Sequence, residues 1–160
     1  MNRAVLLLGG NMGNRIELMD YALVYIAKLG TITSKSSIYE SEAWGFESEK
    51  DFLNIAITIE TEYNAFELLK ELQIIEQLTG RERSGKGYSS RKMDIDILFY
   101  NDEIIETADL QIPHPRLHKR MFTLKCLMDI IPNYTHPKLK MNIIELTSNC
   151  TDNVKVWLKQ

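Results

Sequence analysis

Between Phe52 and Thr61 the apolar residues Leu53, Ile55, Ile57 and Ile59 alternate with Asn54, Thr58 and Glu60, the period-two signature of a half-buried strand. No other segment restricts the fold as strongly, because such a strand needs neighbouring strands for its backbone and a cover for its apolar face. Ala4–Leu8 reads as a buried strand that Gly9-Gly10-Asn11-Met12-Gly13 breaks. A helical pattern then begins near Ile16, with Asn14 and Glu17 as a capping-box-like start and Gly30 as its stop. A second strand is expected within Thr31–Glu40 and a polar loop over 41–51. Asn64 with Glu67 repeats the cap pattern, and Phe66, Leu68, Leu69, Leu72, Ile75 and Leu78 recur at helical spacing up to Gly80. Met93, Ile95, Ile97 and Phe99 mark a fourth strand.

The order strand, helix, strand, strand, helix, strand is that of the split β-α-β arrangement. It predicts an α+β protein, a ferredoxin-like sandwich with an added hairpin and C-terminal helices. Asn101-Asp102 is the expected hairpin turn into Glu103–Glu106, Met121–Ile131 a helix ending at Pro132, and Met141–Leu146 a short helix. No repeat or low-complexity linker divides the 160 residues, so residues 1–160 are expected to form a single domain with no room for a fused second enzyme.

A net charge of -3 argues against general nucleic-acid or membrane affinity. Cys126 and Cys150 form no C-x-x-C pair, which leaves a disulfide scaffold or cysteine zinc site unsupported, and Cys126 among Leu124, Leu127 and Met128 is expected in the core. The five apolar residues from Ala4 to Leu8 are too few for a signal core or a membrane span. The expectation is a cytoplasmic monomer with reduced thiols.

On the fourth strand, the alternation that turns Met93, Ile95 and Ile97 into the core turns Asp94 and Asp96 together to the opposite face. Their Cα atoms would lie roughly 6.5–7 Å apart, suited to hard cations held between carboxylates and a polyphosphate. A solvated strand face has the same spacing. The difference comes from the loop upstream, where Arg81, Arg83, Lys86, Arg91 and Lys92 stand against the single acid Glu82, a local +4 that leaves the rest of the chain at -7. That cluster is a sensible landing site for an anionic ligand, with a solvated charge run as the alternative.

Three other patterns fail. Gly80-Arg81-Glu82-Arg83-Ser84-Gly85-Lys86 begins a P-loop pattern, but Gly87 stands where Ser or Thr must bind magnesium, and the stretch leaves a helix for a strand instead of the reverse. Leu8 occupies the first glycine position of a dinucleotide fingerprint. His114 and His118 are four apart, but flanking Pro113 and Pro115 and the lack of a third ligand argue against zinc. The prolines do fix where His114 points, which suits either a lone surface histidine or a contact with a phosphate.

Leu8-Gly9-Gly10-Asn11, Phe52-Leu53-Asn54, Arg91-Lys92-Met93-Asp94-Ile95-Asp96-Ile97-Leu98 and Pro113-His114-Pro115-Arg116 together resemble the 6-hydroxymethyl-7,8-dihydropterin pyrophosphokinases of folate biosynthesis. The resemblance spans most of the chain, and the R-x-x-D-x-D-I segment followed by P-H-P-R is its specific part. It implies ATP as co-substrate, two magnesium ions and a reduced pterin, with pyrophosphate transferred from ATP to the pterin hydroxymethyl group and AMP released. Asp94 and Asp96 would hold the metal ions, and Arg81, Arg83, Arg91, His114 and Arg120 would surround the triphosphate. Gln73, Glu76 and Ile97 would lie near the nucleoside. Phe52 and Phe122 would stack on the pterin, Asn54 would read its edge, and Gly10, Ser41 and Trp44 would complete that pocket. The chain departs from the family pattern at Gly10, usually serine, at Ser41-Glu42-Ala43-Trp44-Gly45, where Thr-x-Pro is common, and at Tyr88, where some members have tryptophan.

Loops 41–51 and 81–91 carry glycine and charge without apolar periodicity, predicting that they move and close over the substrates. Another magnesium-dependent phosphotransferase or nucleotidyltransferase would use the same Asp pair. An RNA-recognition module would share the element order, but the third strand has one aromatic and no Lys/Arg-Gly-Phe run, so its stacking platform is missing.

Overall fold

The computed structural model describes residues 1–43, 51–80 and 93–160. Residues 44–50 and 81–92, with the expectations placed on Trp44, Arg81, Arg83, Arg91 and on closure over the substrates, lie outside the described residues.

The elements run β1 (Asn2–Gly10), α1 (Arg15–Ile26), β2 (Thr31–Lys35), β3 (Tyr39–Ser41), β4 (Phe52–Thr61), α2 (Ala65–Leu78), β5 (Asp94–Tyr100), β6 (Ile105–Glu106), β7 (Gln111–Ile112), α3 (Met121–Ile130), α4 (Ile143–Asn149) and β8 (Val156–Leu158). One sheet has the order β5-β1-β4-β3-β8, with β2 also pairing with β4. Every pairing within it is antiparallel. The chain is thus a mixed helix-and-sheet protein.

Helix α2 starts where expected. Asn64 Oδ1 accepts from Glu67 N at 2.8 Å and Glu67 Oε1 accepts from Asn64 N at 3.0 Å, a complete capping box. At α1 only the forward bond forms, from Glu17 N to Asn14 Oδ1 at 3.1 Å. That helix ends at Ile26, and Gly30 serves a different purpose from stopping it. A Cβ on Gly30 would lie 2.1 Å from the Glu60 carbonyl oxygen of β4, so glycine is needed for close approach of two backbones.

Both faces of the sheet are covered. Leu6, Leu8, Ile55, Ile57, Ile59, Ile95 and Ile97 face α1 and α2, whose Met19, Ala22, Ile26, Leu68, Leu72 and Ile75 complete the larger core. Val5, Leu7, Ala56, Leu98 and Phe99 face α3 and α4 through Leu124, Cys126, Leu127, Ile143 and Leu146. Strand β4 is therefore not the half-buried strand its alternation predicts. Asn54 and Thr58 are also buried: Asn54 bonds to Ser41 of β3, Thr58 bonds to Thr33 and Ser34 of β2, and Ala56 between them packs in the cluster under α3.

Strand β5 departs from simple alternation as well. The pairing shifts from Leu6↔Ile97 to Val5↔Phe99, leaving Leu98 as an extra residue. That bulge re-phases the strand, so Phe99 packs on the α3 side instead of joining Met93, Ile95 and Ile97. Asn101 turns the chain with φ 48, but the strand that follows does not return on β5; Ile105–Glu106 pairs with Gln111–Ile112 as a separate ribbon. The region Thr31–Glu40 holds two strands, β2 and β3, where one was expected. The short C-terminal helix begins at Ile143, capped by Asn142, and runs to Asn149.

Candidate active site

Strand β1 continues through Gly9 and Gly10, so these glycines lie in the sheet and not in a turn. The turn falls later, at Gly13 with φ +67. Gly9 pairs with Asn54 of β4 on one side and with Asp94 of β5 on the other. Asn54 in turn pairs with Tyr39 of β3. Asp94, Gly9, Asn54 and Tyr39 thus form one cross-strand row at the end of the sheet, with Asp94 and Asn54 about two strand spacings, roughly 10 Å, apart.

The register also fixes which face carries the site. Asp96 pairs with Leu7, and Leu7 with Ala56, and both apolar partners belong to the cluster under α3. Ile95 and Ile97 face the other way. Asp94 and Asp96 therefore project together on the α3 side, half-buried, as the alternation predicts. Two carboxylates so placed supply hard oxygen donors, and among the described residues no group of three or more His, Cys, Asp or Glu could hold a metal. That donor set fits Mg²⁺, which commonly takes one or two carboxylates and fills its remaining positions with water and phosphate oxygens.

The Pro113-His114-Pro115 segment reaches this pair through the bulge. His114 N donates to the Leu98 carbonyl at 3.0 Å, which brings His114 Nε2 to 3.9 Å from Asp96 Oδ2. Its Nδ1 accepts from Arg116 N at 3.1 Å. Burial, followed by the charges of Arg120 and Arg116, holds the imidazole pKa down to about 4 against the opposing effect of Asp94. The ring is neutral at pH 7, and because Nδ1 is an acceptor its proton sits on Nε2. His114 is a donor aimed into the site.

Arg120 is 9% exposed, and its guanidinium carbon lies 5.7 Å from the Phe122 ring centre. These residues flank Met121 at the start of α3, the helix that packs against β3 and β4. There, Asn54 Nδ2 donates to Ser41 Oγ at 2.9 Å and to the Tyr39 carbonyl at 3.4 Å. Gly10 pairs with Leu53 one row out, and Ser41 pairs with Phe52 two rows out.

Glu76 is 4% exposed, and its Oε2 accepts from Ile95 N at 2.9 Å. It satisfies a donor on the outer edge of β5, the terminal strand. Gln73 lies one turn earlier on α2, partly exposed. The Ile97 side chain is buried in the α1/α2 core, so a ligand can meet this residue only through its backbone. Gly9 is the residue that sequence reasoning missed: a Cβ there would lie 3.2 Å from Asn54 Oδ1 and 3.2 Å from the Leu53 carbonyl. The Gly9-Gly10 pair was visible, but as the signal of a turn.

A family profile described as 7,8-dihydro-6-hydroxymethylpterin-pyrophosphokinase (HPPK) matches residues 5–132. The 2-amino-4-hydroxy-6-hydroxymethyldihydropteridine pyrophosphokinase of Aquifex aeolicus is 41% identical over 130 residues, 81% of this chain and 81% of its own. The Bacillus subtilis protein of the same name is 39% identical over 160 residues, 98% of this chain and 90% of its own. Among solved structures, that of Plasmodium falciparum HPPK-DHPS wild type with pteroate is similar with a TM-score of 0.71 at 20% identity, covering 92% of this chain and 44% of that one. That likeness concerns the fold, and this chain spans less than half of the longer protein. By the profile and by these relatives, the chain belongs to the 7,8-dihydro-6-hydroxymethylpterin-pyrophosphokinase family, whose reaction is pyrophosphoryl transfer to the hydroxymethyl group of a reduced pterin.

Proposed function

We propose that this chain is a single-domain, ferredoxin-like enzyme that binds ATP with two Mg²⁺ ions and a reduced pterin, transfers pyrophosphate to the pterin hydroxymethyl oxygen and releases AMP. The sheet order β5-β1-β4 with β2 and β3 outside β4 supports the ferredoxin-like reading, and helices α3 and α4 with β8 would be additions to it. No helix among the described residues is long and apolar enough to cross a membrane.

The observation that carries the reading is the row Asp94, Gly9, Asn54. Asp94 and Asp96 mark where a charged triphosphate would be held, and Asn54 with Phe52 and Phe122 marks where a flat heterocycle would be read and stacked. Gly9 between them leaves the floor without a side chain. A pterin anchored at Asn54 would extend its hydroxymethyl group over Gly9 toward the phosphates. The oxygen would attack the β-phosphorus in line, forming one O–P bond as the bond to the AMP oxygen breaks.

Positioning and charge stabilisation carry most of such a transfer. Asp94 and Asp96 would hold the Mg²⁺ ions, whose chemistry when bound is to neutralise phosphate charge. His114, neutral and with its proton on Nε2, would donate to a phosphate oxygen; Arg120 would add a fixed positive charge. Arg81, Arg83 and Arg91 would contribute further charge, Gln73, Glu76 and the Ile97 backbone would meet the nucleoside, and Gly10, Ser41 and Trp44 would complete the pterin pocket.

Incubation with ATP, Mg²⁺ and the hydroxymethyl dihydropterin should release AMP in step with pterin consumption. Asp96→Ala should lower that rate by about 10³-fold or more while leaving the thermal midpoint within a few degrees. ADP as the nucleotide product, or wild-type turnover in Asp96→Ala, would overturn the assignment.

A further inference from the structure

Residues beyond Pro132 lie outside the family profile, but two of their contacts reach the walls of the site. Helix α3 starts without a cap of its own: Arg120, at the cap position, makes no side-chain bond to the first turn. The cap comes from the far end of the chain instead. Asp152 Oδ2 accepts from Met121 N at 2.9 Å, and places a carboxylate where an exposed N–H and the helix dipole both favour it. Met121 stands between Arg120 and Phe122.

The other oxygen of the same carboxylate accepts from Val154 N at 3.0 Å, which turns the chain toward β8. Strand β8 then pairs with β3 through Ser41↔Val156, Glu40↔Trp157 and Tyr39↔Leu158. Lys155 and Glu42 bond reciprocally, from Glu42 N to the Lys155 carbonyl at 3.1 Å and from Lys155 N to Glu42 Oε1 at 3.0 Å. Lys159 N donates to the Ile38 carbonyl at 2.9 Å, and its Nζ lies 3.6 Å from Glu40 Oε1. Without β8, the three-residue β3 would be the margin of the sheet on this path. It carries Ser41, the partner of Asn54.

We propose that residues 152–158 form a strap that fixes the width of the pterin pocket, with Asp152 as its positioning residue. One end holds the start of α3, and hence Phe122; the other holds β3, and hence Ser41 and Asn54. The inference rests on the reading of the pterin site given above. Asp152 touches neither substrate and acts only through the two walls.

The test compares the full-length wild type, Asp152→Ala and Asp152→Asn by steady-state kinetics and by amide hydrogen exchange. Asp152→Ala should raise the KM for pterin about tenfold, leave kcat within about twofold, and abolish slow exchange at Met121 while accelerating exchange over residues 39–42. Asp152→Asn keeps one acceptor oxygen and should fall between the two. A merely structural role would lower the thermal midpoint and the active fraction without moving the KM, and that result overturns the proposal. If the wild type binds no pterin, the pterin reading fails; the strap is then decided by exchange alone, and is refuted if residues 39–42 are equally protected in wild type and Asp152→Ala.

Discussion

At the scale of single residues, the candidate site is legible where its proposed chemistry is local in sequence. Asp94 and Asp96 are two apart on one strand, and the prolines around His114 mark a fixed segment; neither needs the tertiary structure to be noticed. Gly9 is the opposite case, since its role exists only through partners on two other strands. It also yields a sharp test. A methyl group at Gly9 would press on Asn54 Oδ1 and on the Leu53 carbonyl, each at 3.2 Å, and the carbonyl is main chain in the middle of a ladder. The side chain must yield, and a displaced Asn54 loses its hold on Ser41. Gly9→Ala should therefore raise the pterin Kd about tenfold or more, with nucleotide binding in the absence of pterin changed less than about twofold. Titration of both ligands by calorimetry checks it; equal weakening of both, or of neither, would contradict the row-based reading of the site.

At the scale of elements, strands and helices followed from periodicity, but what covered them did not. The alternation in β4 reports which residues are apolar, not whether Asn54 and Thr58 meet water; β2 and β3 supply their partners, and α3 packs on β4 from far along the chain. The bulge at Leu98 was equally hidden, because it is defined by the register against β1. Its consequence is in the candidate site: the Leu98 carbonyl receives His114 N, which sets the histidine beside Asp96. Gly30 shows how a correct signal can carry the wrong cause. Its glycine character comes from the 2.1 Å that a Cβ would leave to Glu60 O, across the connection that Thr61 Oγ1 also ties down by donating to the Leu29 carbonyl at 2.7 Å. Gly30→Ala must separate β2 from β4 or shift the end of α1, and should cost about 2–4 kcal/mol. A denaturant titration reads this directly. Destabilisation below about 0.5 kcal/mol would show that the close approach is not a constraint.

At the scale of the whole molecule, all three histidines are held below their ordinary pKa of 6.5, His114 to about 4, His136 to about 4 and His118 downward, each chiefly by burial. His136 is 3% exposed, its Nδ1 accepts from Lys138 N and Leu139 N, and its ring lies 6.3 Å from that of His118 and 5.6 Å from that of Phe99. The charge of His118, whenever it is protonated, and that of Lys138 push in the same direction as burial. Above pH 6.5 these rings are neutral in both folded and unfolded chains and cost nothing. Between pH 6.5 and about 4 the unfolded chain binds protons that the folded chain refuses, so stability must fall as pH falls, by about 1.4 kcal/mol per pH unit for each proton not taken up. With His114 and His136 both held to about 4 and His118 shifted in the same direction, the ligand-free protein should lose stability through this window with a slope corresponding to more than one proton. His136→Gln keeps an acceptor for the two backbone N–H groups without a titrating ring, and should flatten the slope by close to one proton once its overall stability is referred to pH 7.5. Urea titrations at half-unit steps from pH 7.5 to 4.5 supply both slopes. A wild-type protein equally stable at pH 7 and pH 5, or a variant with the wild-type slope, would show that the histidines are not the groups through which this fold senses acid.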